Sequence, residues 1–422
     1  MQLSYQATLD YARSLDQMDT LFPFRERFHF PQHEGKDTVY FCGNSLGLQP
    51  KSVQYLMQAE LEDWAKYGVE GHFMARNPWF SYHKLFTERL TRIVGAKPQE
   101  VVATNTLTVN LHLLMISFYR PKGNRYKILM ETGAFPSDQY AVETQVRMHG
   151  YSPEDAIIEI APKPGQYLIE EDDICKAIAQ AGDSLALVMI GGVNYYSGQF
   201  FDLQKITAAA HQVGAYAGFD LAHAVGNLPL QLHDWDVDFA CWCSYKYLNS
   251  GPGGVGGLFV HEKHTQNPDT FRLAGWWGNS ETTRFKMEKG FVPVPTAESW
   301  QMSNAPVFNM VAHNASLDIF DKAGMQALRA KSKQLTGYLY FLLKKVDNLS
   351  FQIITPEDPE RRGCQLSLLF TEHGKAVFEY LSQRGVIADW REPNVIRIAP
   401  VPLYNSYEDV FRFYELLTQY GK

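Results

Sequence analysis

Short apolar runs at residues 128–131, 185–190, 215–219 and 239–244 are bounded by turn residues. Between them, residues 138–149, 172–181 and 203–213 carry apolar positions at helical spacing. Runs this short and this apolar read as buried strands, and their alternation with helices leaves few architectures open. A helix between two strands returns the chain across the sheet, so the strands run parallel and both sheet faces are covered. The expected fold class is therefore α/β, a mostly parallel sheet flanked by helices. In such folds the ends of the strands at their C-terminal side and the loops that follow carry the ligand chemistry.

The texture changes after Asn304-Ala305-Pro306. A helical pattern runs over residues 307–346 with a break near 321–324, followed by a strand-like run at 365–370, a helix from about Lys375 and a strand at 395–398. This reads as a smaller C-terminal α/β domain completed by the N-terminal helix. The expected division is residues 1–45 as a segment packing with the small domain, 46–305 as the large domain and 306–422 as the small domain. Internal repeats and low-complexity stretches are absent from the sequence.

Charge and cysteine content exclude several classes of function. Lys plus Arg total 39 against 46 acidic residues, a net charge of -7, where a general nucleic-acid binder would be basic. No run approaches the roughly 18 apolar residues that span a bilayer, and the N-terminal stretch mixes acids and bases, unlike a signal peptide. Five scattered cysteines read as reduced thiols of a cytoplasmic protein. Cys241 and Cys243 form a C-x-C on an apolar strand with no matching Cys/His pair, so they read as core, and no metal site is expected.

The most informative stretch is Trp242-Cys243-Ser244-Tyr245-Lys246-Tyr247-Leu248-Asn249, in which an apolar strand delivers a lysine to its end just before a glycine-rich turn. A lysine amine at a dry, polar-lined strand end can lose its proton and form a Schiff base; the bland alternative is a lysine snorkelling to water. Upstream, another strand ends in Phe219-Asp220-Leu221-Ala222-His223. An aspartate there could keep a pyridinium nitrogen protonated, or could merely cap a helix. The turn Gly251-Pro252-Gly253-Gly254-Val255-Gly256 matches the dinucleotide pattern G-x-G-x-x-G, but it leads into a strand and lacks the acidic residue downstream, so that reading fails. Asn105-Thr106-Leu107-Thr108-Val109-Asn110 opens a helix whose N-terminal amides and hydroxyls can hold phosphate, and Phe135 in Phe135-Pro136-Ser137-Asp138 could stack on an aromatic ring.

These pieces, in this order, resemble the fold-type-I pyridoxal-phosphate enzymes of the class that contains the cysteine desulfurases. Within that class the sequence is similar to the kynureninase family from about Phe41 to Tyr404. The resemblance is carried further by Gly43-Asn44-Ser45-Leu46-Gly47-Leu48, Gly275-Trp276, Ser303-Asn304 and Arg397-Ile398-Ala399-Pro400. It implies a seven-stranded sheet and a smaller C-terminal domain, pyridoxal 5'-phosphate as cofactor, and hydrolytic Cβ–Cγ cleavage of L-kynurenine to anthranilate and L-alanine in tryptophan degradation and NAD biosynthesis. 3-Hydroxykynurenine stands as a second substrate. A cysteine desulfurase would instead place His before the lysine and a reactive Cys in a late loop; here Tyr245 precedes Lys246, and Cys364 begins an apolar strand.

By the same resemblance Lys246 holds the cofactor, Asp220 pairs with its ring nitrogen, and Phe135 stacks on the ring. Leu107 and Thr108 hold the phosphate, Tyr245 reaches the phosphate and acts as general acid, and Pro136, Ser137, Asp138 and His223 lie about the ring. Gly191 stands where relatives often carry Ser, which leaves one hydroxyl contact open to Ser197 or Tyr196. Arg397 would clamp the substrate α-carboxylate, with pairing to an internal acid as the alternative. Ser45 lies near that carboxylate, and His72, Ser303 and Asn304 face the aryl ring. Trp276 and Asn304 would reach the cofactor from the partner subunit of a homodimer.

Overall fold

The computed structural model describes residues 5–421. Its main sheet has seven strands: β1 (Val101–Ala103), β2 (Lys127–Glu131), β3 (Ile157–Ile160), β4 (Leu185–Gly191), β5 (Tyr216–Asp220), β6 (Phe239–Cys243) and β7 (Gly256–Val260). Their order across the sheet is β1-β7-β6-β5-β4-β2-β3. The pairs β6/β5, β5/β4, β4/β2 and β2/β3 are parallel, whereas β7 runs antiparallel to both its neighbours. The central strands are buried along almost their whole length, which is why their sequences are continuously apolar rather than alternating. The two strands at the sheet edges were not visible as apolar runs, because β1 has only three residues and β3 is half-buried with Glu159 pointing outward.

The glycine-rich turn makes the reversal between β6 and β7. Gly251 and Gly253 take φ of +79° and +70°, a backbone region that a side chain would strain. The turn therefore ends in a strand and not in a phosphate-binding helix, and the adjoining Tyr245-Lys246 segment stays at the sheet's C-terminal edge.

A second, antiparallel sheet contains β8 (Phe351–Ile353), β9 (Leu366–Phe370), β10 (Asp389–Arg391) and β11 (Val395–Ile398), in the order β8-β9-β11-β10. The helices Val307–Ala323 and Met325–Leu343 precede it, separated by Gly324. The N-terminal helix Leu9–Met18 packs on the C-terminal helix Tyr407–Gln419. Asp16 fastens the two by accepting hydrogen bonds from the amides of Tyr407 and Glu408 at 2.7 and 3.0 Å, an anion at a helix N-terminus. Val39–Tyr40 then forms a short parallel ladder with Val386–Ile387, and Cys42 bridges Ala399. This ladder brings the Gly43-Asn44-Ser45 turn beside Arg397, far away in sequence. Among the described residues, no helix is long and apolar enough to cross a membrane.

Candidate functional site

The C-terminal ends of β2, β4, β5 and β6 open on a cavity of about 220 Å³. Leu107, Thr108, Phe135, Ser137, Asp138, Gly191, Asp220, His223, Tyr245 and Lys246 all line it. Leu107 and Thr108 are the first residues of the helix Leu107–Phe118, whose leading amides have no partner within the helix. Phe135 precedes the helix Pro136–Met148, where Pro136 occupies the first turn that its fixed φ suits, outside the cavity wall. Lys246 Nζ lies 3.0 Å from His223 Nε2 and 5.8 Å from the centre of the Phe135 ring. It faces the cavity rather than bulk water.

The cavity is rich in carboxyl groups for its one lysine. Asp138, Asp220 and Glu131 are buried in its wall. Burial and the neighbouring Asp220 hold the Asp138 carboxyl well above the usual carboxylate range, and burial raises Asp220 as well. Asp138 and Asp220 bond to each other, and Asp220 also accepts a hydrogen bond from the Ala222 amide at 2.7 Å. Burial pushes Glu131 up to about 7, although its carboxylate accepts from the Gly191 amide at 3.1 Å. Burial, with the Lys246 cation next in weight, drives His223 well below its ordinary value. His223 is then neutral and accepts from Lys246 at Nε2, while its buried Nδ1 has no partner. Burial raises Tyr245, so the phenol keeps its proton at neutral pH.

These groups fit pyridoxal phosphate. Buried carboxyls in excess over cations call for another positive charge, which a protonated ring nitrogen supplies at Asp220. The orphaned His223 Nδ1 and the Phe135 face suit a polar-edged aromatic ring, and the helix N-terminus at Leu107 and Thr108 suits a phosphate.

Arg397 lies beside this cavity, its side chain only 1% exposed, and its Nη1 donates to the carbonyl of Tyr195, a cavity-wall residue, at 2.7 Å. It pairs with an internal acid, Asp389, and Ser45 Oγ bonds to the same carboxylate. Gly191 leaves room that Glu131 fills, since a Cβ at 191 would stand 3.0 Å from Glu131 Oε1. Ser197 is turned away into a bond with Asn194, and neither it nor Tyr196 lines the cavity.

The remaining residues singled out in the sequence lie elsewhere in the chain. His72 and Asn304 share a second cavity of about 220 Å³ with Glu60, Trp64, Trp79 and Phe308, and it has no lining residue in common with the first. His72 Nδ1 donates to the Val69 carbonyl at 2.9 Å, leaving Nε2 free for another contact. Ser303 is exposed next to Asn304. Trp276 is 51% exposed and packs edge-on to Phe285, which continues through Phe80 to Phe73.

Four residues of the two clusters drew no attention in the sequence: Glu131, Tyr195, Asp389 and Arg391. Glu131 ends an apolar strand at the cavity side, and that position alone marks it as a candidate. The other three carry no local signal. Among the described residues, one group of metal-ligating type occurs, Glu100, His233 and His261, at the opposite pole of the sheet. The two imidazoles are stacked at 4.8 Å and 16°, so one ion cannot lie in both ring planes, and the Glu100 carboxylate already accepts from Lys97, Glu262 and His233.

Residues 328–417 match the family model described as the kynureninase C-terminal domain. The chain is 54% identical to a kynureninase from Flavobacterium johnsoniae over 98% of each chain. It is 53% identical to one from Myxococcus xanthus over 99% of this chain and 98% of that one. In fold it is similar to a mutant of the cystine C–S lyase C-DES with glycine linked covalently to its pyridoxal-phosphate cofactor, at 16% identity and a TM-score of 0.77 over 91% of this chain and 97% of that one. A cysteine desulfurase from Escherichia coli aligns at 17% identity and a TM-score of 0.75 over 94% of this chain and 97% of that one. At such identities the likeness is one of fold.

Proposed function

The chain belongs to the kynureninase family of pyridoxal-phosphate-dependent hydrolases of carbon–carbon bonds, and from that premise we propose that the Lys246 cavity is where it cleaves L-kynurenine to anthranilate and L-alanine. The observation that carries this reading is the meeting of Lys246, His223, the Asp138–Asp220 pair and Phe135 in one cavity beside a buried arginine. Lys246 would hold the cofactor, Asp220 its ring nitrogen, Phe135 and His223 its ring, and Leu107 and Thr108 its phosphate. Asp138 and Ser137 support Asp220 from the neighbouring helix. Bound there, pyridoxal phosphate supplies an electron sink for negative charge developing on the substrate carbons.

The chain's own groups do the rest. Arg397 and Ser45 bind the α-carboxylate and set the substrate's orientation. Lys246 Nζ, freed of the cofactor, would take the α-proton and give one back to Cα before alanine leaves. Tyr245, whose phenol keeps its proton at neutral pH, donates a proton to the carbon freed when anthranilate departs. Water would add to the γ-carbonyl, so that the Cβ–Cγ bond breaks with Cγ leaving as the carboxyl of anthranilate and the electron pair staying on Cβ.

We read the enzyme as a cytoplasmic homodimer, divided into residues 1–45, 46–305 and 306–422 as the sequence analysis has it. The exposed ring chain from Trp276 through Phe285 and Phe80 to Phe73, with Met287 81% exposed nearby in sequence, supports a dimer because single chains rarely leave so much apolar surface bare. His72, Trp276, Ser303 and Asn304, none of which lines this chain's own Lys246 cavity, would then face the partner's cavity.

Holoenzyme mixed with L-kynurenine is expected to release fluorescent anthranilate and an equal amount of L-alanine. Release of alanine from L-cysteine, with L-kynurenine left intact, would replace this reading with a desulfurase-like one.

A further inference from the structure

Arg397 carries five N–H donors. Asp389 takes two, with Nε to Oδ1 at 3.1 Å and Nη2 to Oδ2 at 2.9 Å, and the Tyr195 carbonyl takes a third from Nη1 at 2.7 Å. One N–H on Nη1 is left, and the second on Nη2 meets only Ser45 Oγ at 3.5 Å; the two oxygens of a carboxylate can bridge this pair once that long contact is exchanged. Ser45 Oγ itself donates to Asp389 Oδ2.

The backbone builds this arrangement. Asp389 and Arg397 sit directly opposite each other where β10 pairs with β11, and directly opposed side chains on one face touch. Arg391 is two residues along β10 from Asp389 and so shares its face. It pairs with the same carboxylate, Nε to Oδ1 at 3.0 Å and Nη2 to Oδ2 at 3.2 Å. Two guanidinium groups on one carboxylate leave a single positive charge in excess, the charge that one substrate carboxylate neutralises.

We propose that Asp389 is a positioning residue of the substrate site: it locks one edge of Arg397 so that the other edge meets the α-carboxylate, while Arg391 offsets its charge. This rests on the reading of Arg397 as the carboxylate clamp. Without Arg391, the incoming carboxylate and Asp389 would share one guanidinium and repel each other. Without Asp389, Arg397 would lose the contact that fixes its plane.

The test uses holoenzyme titrated with L-alanine and with L-alaninamide, which lacks the carboxylate, followed by the change in cofactor absorbance. Asp389→Asn keeps the shape and one acceptor oxygen. It is expected to weaken L-alanine binding about tenfold, leave L-alaninamide binding unchanged, and raise KM for L-kynurenine with little change in kcat. Equal or tighter L-alanine binding in Asp389→Asn, alongside a lost preference for L-alanine in Arg397→Lys, would overturn the proposal and make Asp389 a bystander or a competitor. If Arg397→Lys itself keeps the preference, the clamp reading fails instead. Should Asp389→Asn not fold, Arg391→Gln decides: a severalfold loss of L-alanine affinity alone supports the proposal, and no loss overturns it.

Discussion

Lys246→Ala is expected to fold, to bind pyridoxal phosphate only weakly, to lack the absorbance of a covalently held cofactor, and to lose turnover by roughly 10⁴-fold or more. On the proposed reading one side chain has this much leverage because it would serve both as the cofactor's anchor and as the group that moves the α-proton. Its removal also leaves His223 Nε2 without its donor and the buried carboxyls of Asp138, Asp220 and Glu131 without their cation. The cofactor's own ring nitrogen would still have Asp220, so weak binding is expected to survive where turnover does not. A variant that keeps more than about a tenth of wild-type kcat would place the reacting lysine elsewhere.

The second large effect is recovery of activity in a hybrid. Lys246→Ala and Asn304→Ala are each expected to be nearly inactive as homodimers. Asn304 lies in a cavity that shares no residue with the one around Lys246, and in the proposed dimer it would complete the partner's site, so that each defect would fall in a different site. In a hybrid, one site combines intact Lys246 from one chain with intact Asn304 from the other, and the second site carries both lesions. Purified hybrids should therefore recover about half the wild-type activity per dimer. Hybrids as inactive as their parents would put both residues in the same chain's site.

Much of this was legible in the sequence, for identifiable reasons. The strands buried on both faces, β2, β4, β5 and β6, announce themselves because burial on both sides demands an unbroken apolar run. Lys246, Asp220 and the Leu107–Thr108 turn stand out because a charged or polar group at the end of such a run breaks its pattern. Cys241 and Cys243 are buried thiols, which agrees with their reading as core, and Cys364 is buried just before β9 rather than within it.

The cluster around Arg397 was harder to see. Arg397 was visible, and its anticipated pairing with an internal acid is present, with Asp389 as the acid. Asp389 and Arg391 were invisible because their meaning depends on the register between β10 and β11, which no local pattern encodes. Ser45 reaches the same cluster only through the ladder between Val39–Tyr40 and Val386–Ile387. Tyr195 lies in the loop after β4, and its carbonyl, not its ring, makes the bond to Arg397, so the residue type carried no message.

The central claim is that one lysine, Lys246, organises the site, and borohydride reduction followed by peptide mass mapping tests it most directly. Reduction of the yellow holoenzyme should fix one pyridoxyl phosphate per chain on the peptide containing Tyr245-Lys246-Tyr247 and bleach the colour. Label on any other lysine, or none at all from a coloured and active preparation, would contradict the account.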